Sequence, residues 1–142
     1  MISENGSGAV ILALHRATHA TLHALQARLA DLDLTASEIN ALANLADGRA
    51  RSVGELAADT ATRPTTLTSV LDRLVRRGYV VRRLDPADRR SFLVSLTEDG
   101  QPAADAAHAA MRDLELTALA GITSSDLAGF SAVIHAITEV SQ

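Results

Sequence analysis

Apolar residues recur at spacings of three and four over the first quarter of the chain. This period predicts a long amphipathic helix over residues 8–32, with Ser7 as its candidate N-cap. A narrow apolar stripe on so long a helix needs a second surface to cover it, in the same chain or in a partner chain. The stripe consists of Ile11, Leu14, Leu22, Leu25, Leu29 and Leu32.

Two capping boxes and a proline mark the starts of three further helices. In Thr35–Glu38 and in Ser52–Glu55 a hydroxyl residue is followed three positions later by a carboxylate, a pairing that satisfies N–H groups at a helix start. The helix after the first box ends near Gly48. Pro64 suits the first position of the third helix, which runs to about residue 77 and stops at Gly78.

After the third helix the period changes. Residues 79–84 and 92–96 are rich in β-branched and aromatic side chains, and the turn-forming, charged segment 85–91 lies between them. This pattern predicts a β-hairpin with a charged tip. Thr97 then caps a long alanine-rich helix that ends near Gly121.

Thr123 and Asp126 frame a last helix that carries a second apolar stripe. A short helix, a turn, a helix and a hairpin follow one another over residues 35–97, which is the order of a winged helix-turn-helix. We therefore predict a mainly α fold with a small β-hairpin wing, in a single domain over residues 1–142.

The terminal helices, residues 8–32 and 98–140, are predicted to form a homodimer. One small winged-helix core cannot cover both apolar stripes, whereas a two-fold pair would bury them. Such a pair would also place two recognition helices about 34–36 Å apart, which is one turn of DNA. The predicted interface residues are Ile11, Leu14, Leu22, Leu25, Phe130, Ile134 and Ile137.

Charge is unevenly distributed along the 142 residues, which carry a formal net charge of −4. The chain has no lysine, and ten of its 13 arginines lie between positions 49 and 90 beside only five acids. That segment has a formal charge of +5, and the remainder has −9. A basic segment within an acidic chain predicts a local surface for a polyanion, although charge alone leaves open a solvated arginine-rich face.

The helix that begins at Pro64 has the residue distribution of a groove-reading helix. At about 100° per residue its leucines and valines gather on one side, and its hydroxyl and arginine side chains gather on the other together with Asp72. Hydroxyls at the start suit base edges and phosphates, and arginines near the end reach the backbone. A generic surface helix is the alternative. The candidate DNA-binding residues are Arg63, Pro64, Thr65, Thr66, Ser69, Arg73 and Arg76, and the apolar side comprises Leu67, Val70, Leu71, Leu74 and Val75.

The predicted hairpin tip supplies three more candidates, Asp88, Arg89 and Arg90. A guanidinium at the tip of a β-ribbon is able to enter a narrow minor groove, where the negative potential is concentrated. A solvated charged turn is the alternative, but this tip follows directly on the candidate recognition helix. Together the two elements predict double-stranded DNA as the partner.

Residues 62–100, TRPTTLTSVLDRLVRRGYVVRRLDPADRRSFLVSLTEDG, resemble the signature of MarR-family transcriptional regulators. The helix ending DRLVRRG, the wing DPADRR and the exit LTEDG occur in the order typical of that family. The resemblance implies an obligate homodimer of winged-helix subunits on a pseudo-palindromic operator, with repression as the default. It also implies that Arg90 enters the minor groove, that Asp88 orients it, and that Arg73 contacts a phosphate.

The resemblance further implies a small organic effector, bound between the dimerisation and DNA-binding parts. Its residues do not carry over from the family, so the candidates are histidines on the terminal helices: His15, His19 and His108. A zinc-responsive regulator that uses such histidines is an alternative, but the thiolate and the first-helix carboxylates of such a sensor are missing. Hydrogen-bonded histidines near an interface are the favoured interpretation, and we predict no metal.

The sequence lacks the motifs of an enzyme. It contains no cysteine, no GxSxG, no Walker loop and no SxxK, and HRATH at residues 15–19 has the spacing of HExxH without its glutamate. We therefore predict no catalysis and no cofactor. A winged-helix module that binds a protein instead of DNA is a further alternative, which the arginine-rich face disfavours.

No apolar run approaches the ~20 residues that span a bilayer. The N-terminal MISENGSG lacks the basic start and apolar core of a signal peptide. We therefore expect a cytoplasmic protein without a membrane partner.

Overall fold

The computed structural model describes residues 8–142, which form six α-helices and one three-stranded antiparallel sheet. The prediction of a mainly α fold with a small hairpin wing is confirmed. The elements are α1 (Ala9–Arg28), α2 (Ala36–Leu45), β1 (Arg51–Ser52), α3 (Val53–Asp59), α4 (Pro64–Arg76), β2 (Val80–Leu84), β3 (Phe92–Leu96), α5 (Gly100–Ala118) and α6 (Ser124–Val140).

The chain separates into two compact units. The first unit ends at Met111 and contains the sheet, α1 to α4 and most of α5. The second unit, Arg112–Gln142, contains the end of α5 and all of α6. The single domain predicted for residues 1–142 stays a prediction.

α1 ends four residues earlier than the sequence predicts. The chain continues as a 3-10 turn over Ala30–Leu32, and Asp33 then adopts a left-handed conformation with a φ of 48°. A spacing of three keeps the leucines of this segment toward the core, so the apolar pattern does not distinguish the tighter turn from an α-helix. Ser7 lies outside the described residues, and Gly8 occupies the cap position with a φ of 81°.

The second half of the α1 stripe belongs to the core of the first unit, where α1 packs against α2. Leu25 is only 6% exposed within the single chain. It therefore has little surface left for a partner chain, and its assignment to a dimer interface stays a prediction. Ile11 is exposed, and Leu14 and Leu22 are half-buried.

The predicted helix starts are confirmed by their hydrogen bonds. Thr35, Ser52 and Thr123 each accept a hydrogen bond from the N–H three residues on, and the acid at that third position accepts one back from the cap residue's own N–H. α4 begins at Pro64. It ends at Arg76, and Gly78 follows with a φ of 76°, where the N–H groups of residues 78 and 79 bond back to the last turn.

The sheet has the strand order β1-β3-β2. The predicted hairpin is present, and in it Val80 pairs with Leu96 at the base and Leu84 with Phe92 toward the tip. β1 was not predicted, and it pairs with the middle of β3, Arg51 with Val94. Two residues give no detectable period, and they directly precede the capping box of α3, so the helix-start signal dominates the sequence there.

The core of the first unit is closed by a tight approach between α5 and the base of the wing. The start of α5 supplies buried alanines, whose small side chains allow close packing. A Cβ built on Gly100 would lie 1.8 Å from the backbone oxygen of Tyr79, so only glycine fits there. Thr97 accepts the N–H of Gly100, as a cap does, and α5 ends at Ala118, three residues before the predicted stop.

In the second unit α6 has no buried residue. Its apolar stripe is therefore only partly covered within the chain: Phe130 is 60% exposed and Leu127 is exposed, whereas Ile134 and Ile137 are half-buried. Between residues 8 and 142, no helix combines the length and the hydrophobicity that crossing a membrane requires.

Candidate nucleic-acid interface

α4 presents the predicted two-sided surface. Leu67, Val70, Leu71 and Leu74 are buried, whereas Thr65, Thr66, Ser69 and Arg76 are exposed. Val75 was assigned to the apolar side but is 37% exposed. It lies about 90° from the centre of the apolar stripe, in the last turn, so the core no longer covers it.

The start of α4 leaves its first N–H groups available. Arg63 occupies the N-cap position without a side-chain cap bond, and Pro64 follows at the first helical position. The uncapped N–H groups and the helix dipole both favour an anion at this end. Arg63, Pro64, Thr65 and Thr66 are all exposed there.

The wing tip is an ordered turn that carries two exposed arginines, Arg89 and Arg90. The Asp88 carboxylate accepts the backbone N–H of Arg90 at 3.0 Å, and the Asp88 carbonyl accepts the N–H of Ser91 at 3.0 Å. Asp88 thus contacts the backbone of Arg90 and not its guanidinium. It shapes the turn from which the Arg90 side chain projects.

The buried carboxylate of Glu38 connects α2 to α4 on the side of α4 away from its exposed face. The Glu38 side chain is 4% exposed, and one of its oxygens accepts the Nε–H of Arg73 at 2.8 Å. Its other oxygen lies 3.4 Å from Nη1 of Arg77 and is shared with the capping bond to the N–H of Thr35. A single carboxylate therefore caps α2 and pairs with two arginines at the end of the recognition helix.

Arg77 extends this connection to the segment after α1. Its guanidinium donates to the carbonyls of Leu32 and Asp33 and lies over the Tyr79 ring, 5.1 Å from the ring centre. From the sequence, Glu38 is predicted only as part of a capping box. The signal for its ion pairs is the i,i+4 spacing of Arg73 and Arg77, which places two cations on one face of α4.

Two further arginines are engaged within the first unit. Arg51, in β1, forms ion pairs with Asp47 at 2.7 Å and with Asp59 at 3.2 Å. The hydrogen bond from the Arg51 guanidinium is the main reason that the pKa of Asp47 is lowered to about 2. Arg82, in β2, pairs with Asp72 on the outward face of α4. Part of the basic segment is therefore paired with carboxylates of its own chain, and the exposed arginines of α4 and the wing form a smaller cationic surface than the composition suggests.

Comparison with known proteins identifies the family. The model of the MarR family matches residues 32–91. The multiple antibiotic resistance protein MarR of Escherichia coli is 31% identical over 101 residues, which cover 70% of each chain. The chain belongs to the MarR family. Members of this family are transcriptional regulators, so the prediction that the chain is not an enzyme is confirmed.

Other MarR-family proteins extend the comparison. An HTH-type regulator of Mycobacterium bovis is 34% identical over 90 residues, and the match spans only 63% of its length. A mutant of Escherichia coli MarR complexed with operator DNA has a TM-score of 0.77 at 25% identity, covering 96% of this chain and 99% of that one. Bordetella bronchiseptica BpsR, whose DNA binding is regulated by 6-hydroxynicotinic acid, has a TM-score of 0.75 at 26% identity, with 91% and 92% covered.

The first unit of this MarR-family chain also contains a cleft of about 620 Å³ between α2 and α5. His108 contributes to it, whereas His15 and His19 are exposed on α1 and do not line it. Within residues 8–142, no three histidine or acidic side chains are grouped so as to hold a metal ion. The cleft is lined by Ala43, Asn44, Ala46, Asp47, Asp105, His108 and Met111.

The Glu38 network predicts a difference between two capping-box acids of this MarR-family chain. Glu38→Gln preserves a capping side chain but leaves two arginines opposite a neutral group. We expect a loss of about 3 kcal/mol in the free energy of unfolding, the low end for a broken buried pair because both arginines retain contact with water. Urea denaturation at an unchanged slope measures the loss.

Glu55→Gln is the matched control. Glu55 accepts the N–H of Ser52 in the same capping geometry, but it is exposed and has no pair of arginines. Its replacement should cost no more than about 1 kcal/mol. Equal losses for the two variants would show that Glu38 acts as a cap alone.

Proposed function

We propose that this chain binds a pseudo-palindromic DNA operator as a homodimer and represses transcription until a small organic effector binds. The observation that carries the proposal is the exposed surface formed by the outward face of α4 and the arginine tip of the wing. Both elements belong to the first unit, so one compact unit presents a helix for the major groove and a ribbon for the minor groove. The likeness to Escherichia coli MarR complexed with operator DNA supports it.

The homodimer is supported by the exposed apolar residues of the terminal helices. Phe130 on α6 and Ile11 on α1 are more than 40% exposed, at 60% and 42%. On α6 alone, Leu127, Phe130 and Val133 are all exposed, and an exposed apolar helix face of this kind marks an interaction site. A second copy of the chain would cover these residues, and its two-fold axis would match a pseudo-palindromic operator.

The effector is proposed to bind in the cleft lined by His108. Its lining contains two carboxylates, Asp47 and Asp105, and no arginine or lysine. Asp47 is already paired with Arg51, and Asp105 accepts a hydrogen bond from Gln101 at 2.9 Å. Because the lining is acidic, it favours a neutral or cationic molecule over an organic acid. His15 and His19 stay predictions, to be tested beside His108.

The DNA-binding proposal predicts distinct losses for the wing and for the helix. The probe is a duplex from the DNA flanking the chain's own coding region. Arg90→Ala should weaken binding by about 1–3 kcal/mol, because it removes one groove contact. Asp88→Ala should cost less, since the arginine remains while the turn loosens. Thr66→Ala should instead relax discrimination between base pairs within each half-site.

Binding isotherms on matched and scrambled duplexes at one salt concentration measure these effects. Arg112→Ala, at an exposed arginine of the second unit, is the control and should change binding by less than about 0.5 kcal/mol. Affinity should also fall steeply as salt rises, because phosphate contacts release counterions. If Arg90→Ala binds the duplex as tightly as the wild type, the role of the wing is refuted. If binding to the duplex does not weaken as salt rises, phosphate contacts do not drive it, and the alternative of a protein partner is favoured.

The dimer proposal predicts that one apolar residue of α6 controls both assembly and DNA binding. Phe130→Glu would bury an unpaired charge in the interface, which costs several kcal/mol. We expect a monomer by sedimentation equilibrium, together with loss of tight operator binding. Ala132→Glu, on the opposite side of α6, should remain dimeric. A monomeric wild type that binds the operator tightly would contradict the proposal.

The cleft proposal predicts a preference for one charge of ligand. Benzylamine at about five times its Kd should stabilise the protein by about 1 kcal/mol in thermal unfolding, whereas benzoate should have no effect. His108→Ala and Asp105→Asn should abolish the stabilisation. Asp113→Asn changes an exposed acid of α5 outside the lining and should retain it. Stabilisation by benzoate instead of benzylamine would contradict the assignment of ligand charge.

A further inference from the structure

Asp72 is the single acidic residue of α4, and it lies on the face proposed to meet DNA. A carboxylate on that face opposes the phosphates of DNA, and Asp72 does not cap the helix. A negative charge at this position therefore indicates a compensating role.

The partner of Asp72 is Arg82 of β2, whose guanidinium donates to the carboxylate. Both side chains remain partly exposed, at 47% for Asp72 and 32% for Arg82. An exposed ion pair contributes little to global stability. Its effect must therefore be local, on the two elements that it joins.

The pair lies where the wing leaves the sheet. Arg82 is paired with Val94, the same residue of β3 that β1 contacts through Arg51. One level further toward the tip, β1 still pairs with β3 through Ser52 and Leu93. Beyond Leu93 the hairpin consists of two strands only, and the inward-facing pair there, Leu84 and Phe92, is exposed. A two-stranded ribbon without a packed face is weakly held. The ion pair is thus the outermost side-chain attachment between the hairpin and α4 among the ion pairs of the described residues.

We propose that Asp72 and Arg82 are positioning residues, which fix the direction of the wing relative to the recognition helix. We call the Asp72–Arg82 ion pair the brace. With it, the helix and the wing tip contact adjacent grooves of one duplex at the same time. Without the brace, each element still contacts DNA on its own. Making both contacts together then costs more conformational entropy, because the wing must be ordered on binding. This inference rests on the proposed DNA-binding function.

The brace and simple electrostatics predict opposite results for Asp72→Asn. Removal of a negative charge should tighten binding to every duplex if only the electrostatic field matters. If the brace matters, affinity for the operator should fall by about tenfold while affinity for unrelated DNA stays unchanged or rises. The readout is therefore the ratio of specific to non-specific affinity, which a merely structural residue would not shift.

The experiment uses a duplex selected by the wild-type protein from random sequences, and a scrambled duplex of equal composition. Binding is measured at one salt concentration for Asp72→Asn, Arg82→Gln and the double variant. We expect each single variant to lower the affinity ratio and the double variant to be no worse than the singles, because both remove the same pair. Circular dichroism melting should remain close to that of the wild type.

Arg83→Gln is the matched control, because Arg83 is the next residue on β2 and its side chain lies on the other face of the strand. It should act additively with Asp72→Asn. Tighter binding of Asp72→Asn to both duplexes, or additivity between Asp72→Asn and Arg82→Gln, would overturn the brace alone. A wild-type protein without preference for any selected duplex would overturn the proposed function, and the brace with it.

Discussion

The carboxylate of Glu38 is the interaction on which the DNA-facing geometry depends. It is buried between α2 and α4, caps the first of these helices, and pairs with Arg73 and Arg77 at the end of the second. A buried charge needs such partners, so the pairing specifies how the two helices sit against each other. α4 carries the outward face of hydroxyl and arginine side chains. The direction of that face therefore depends on Glu38, which lies on the opposite side of the helix and is almost wholly buried.

The arginines of the basic segment form two groups with different roles: some pair with carboxylates of the same chain, and others remain exposed at the wing tip. Arg51, Arg73, Arg77 and Arg82 are engaged by carboxylates of their own chain, so part of the positive charge is neutralised inside the fold. The wing-tip arginines remain exposed, on a turn shaped by backbone hydrogen bonds. The engaged group sets the directions of the helix and the hairpin, and the exposed group supplies charge for a polyanion. The chain therefore needs more arginines than its phosphate contacts alone would require.

The apolar residues divide in a similar way. The second half of the α1 stripe packs against α2 and completes the core of the first unit. α6 has no buried residue, so its stripe is covered only in part within the chain. A homodimer would supply the missing surface and would also set the distance between two recognition helices. Assembly and operator spacing would then follow from the same apolar contact.

Features that are encoded within a few neighbouring residues were predictable from the chain alone. The three capping boxes, Pro64 and Gly78 set helix ends because they act on adjacent backbone groups, and the two β-branched runs around a turn segment predicted the hairpin. Which distant groups meet became visible only in the folded chain. It paired Glu38 with arginines 35 and 39 positions away, added β1 to the sheet, and buried Leu25 within its own chain. Local patterns carry no information on such contacts, because one apolar stripe or one charged face fits several partners equally well until the chain is folded.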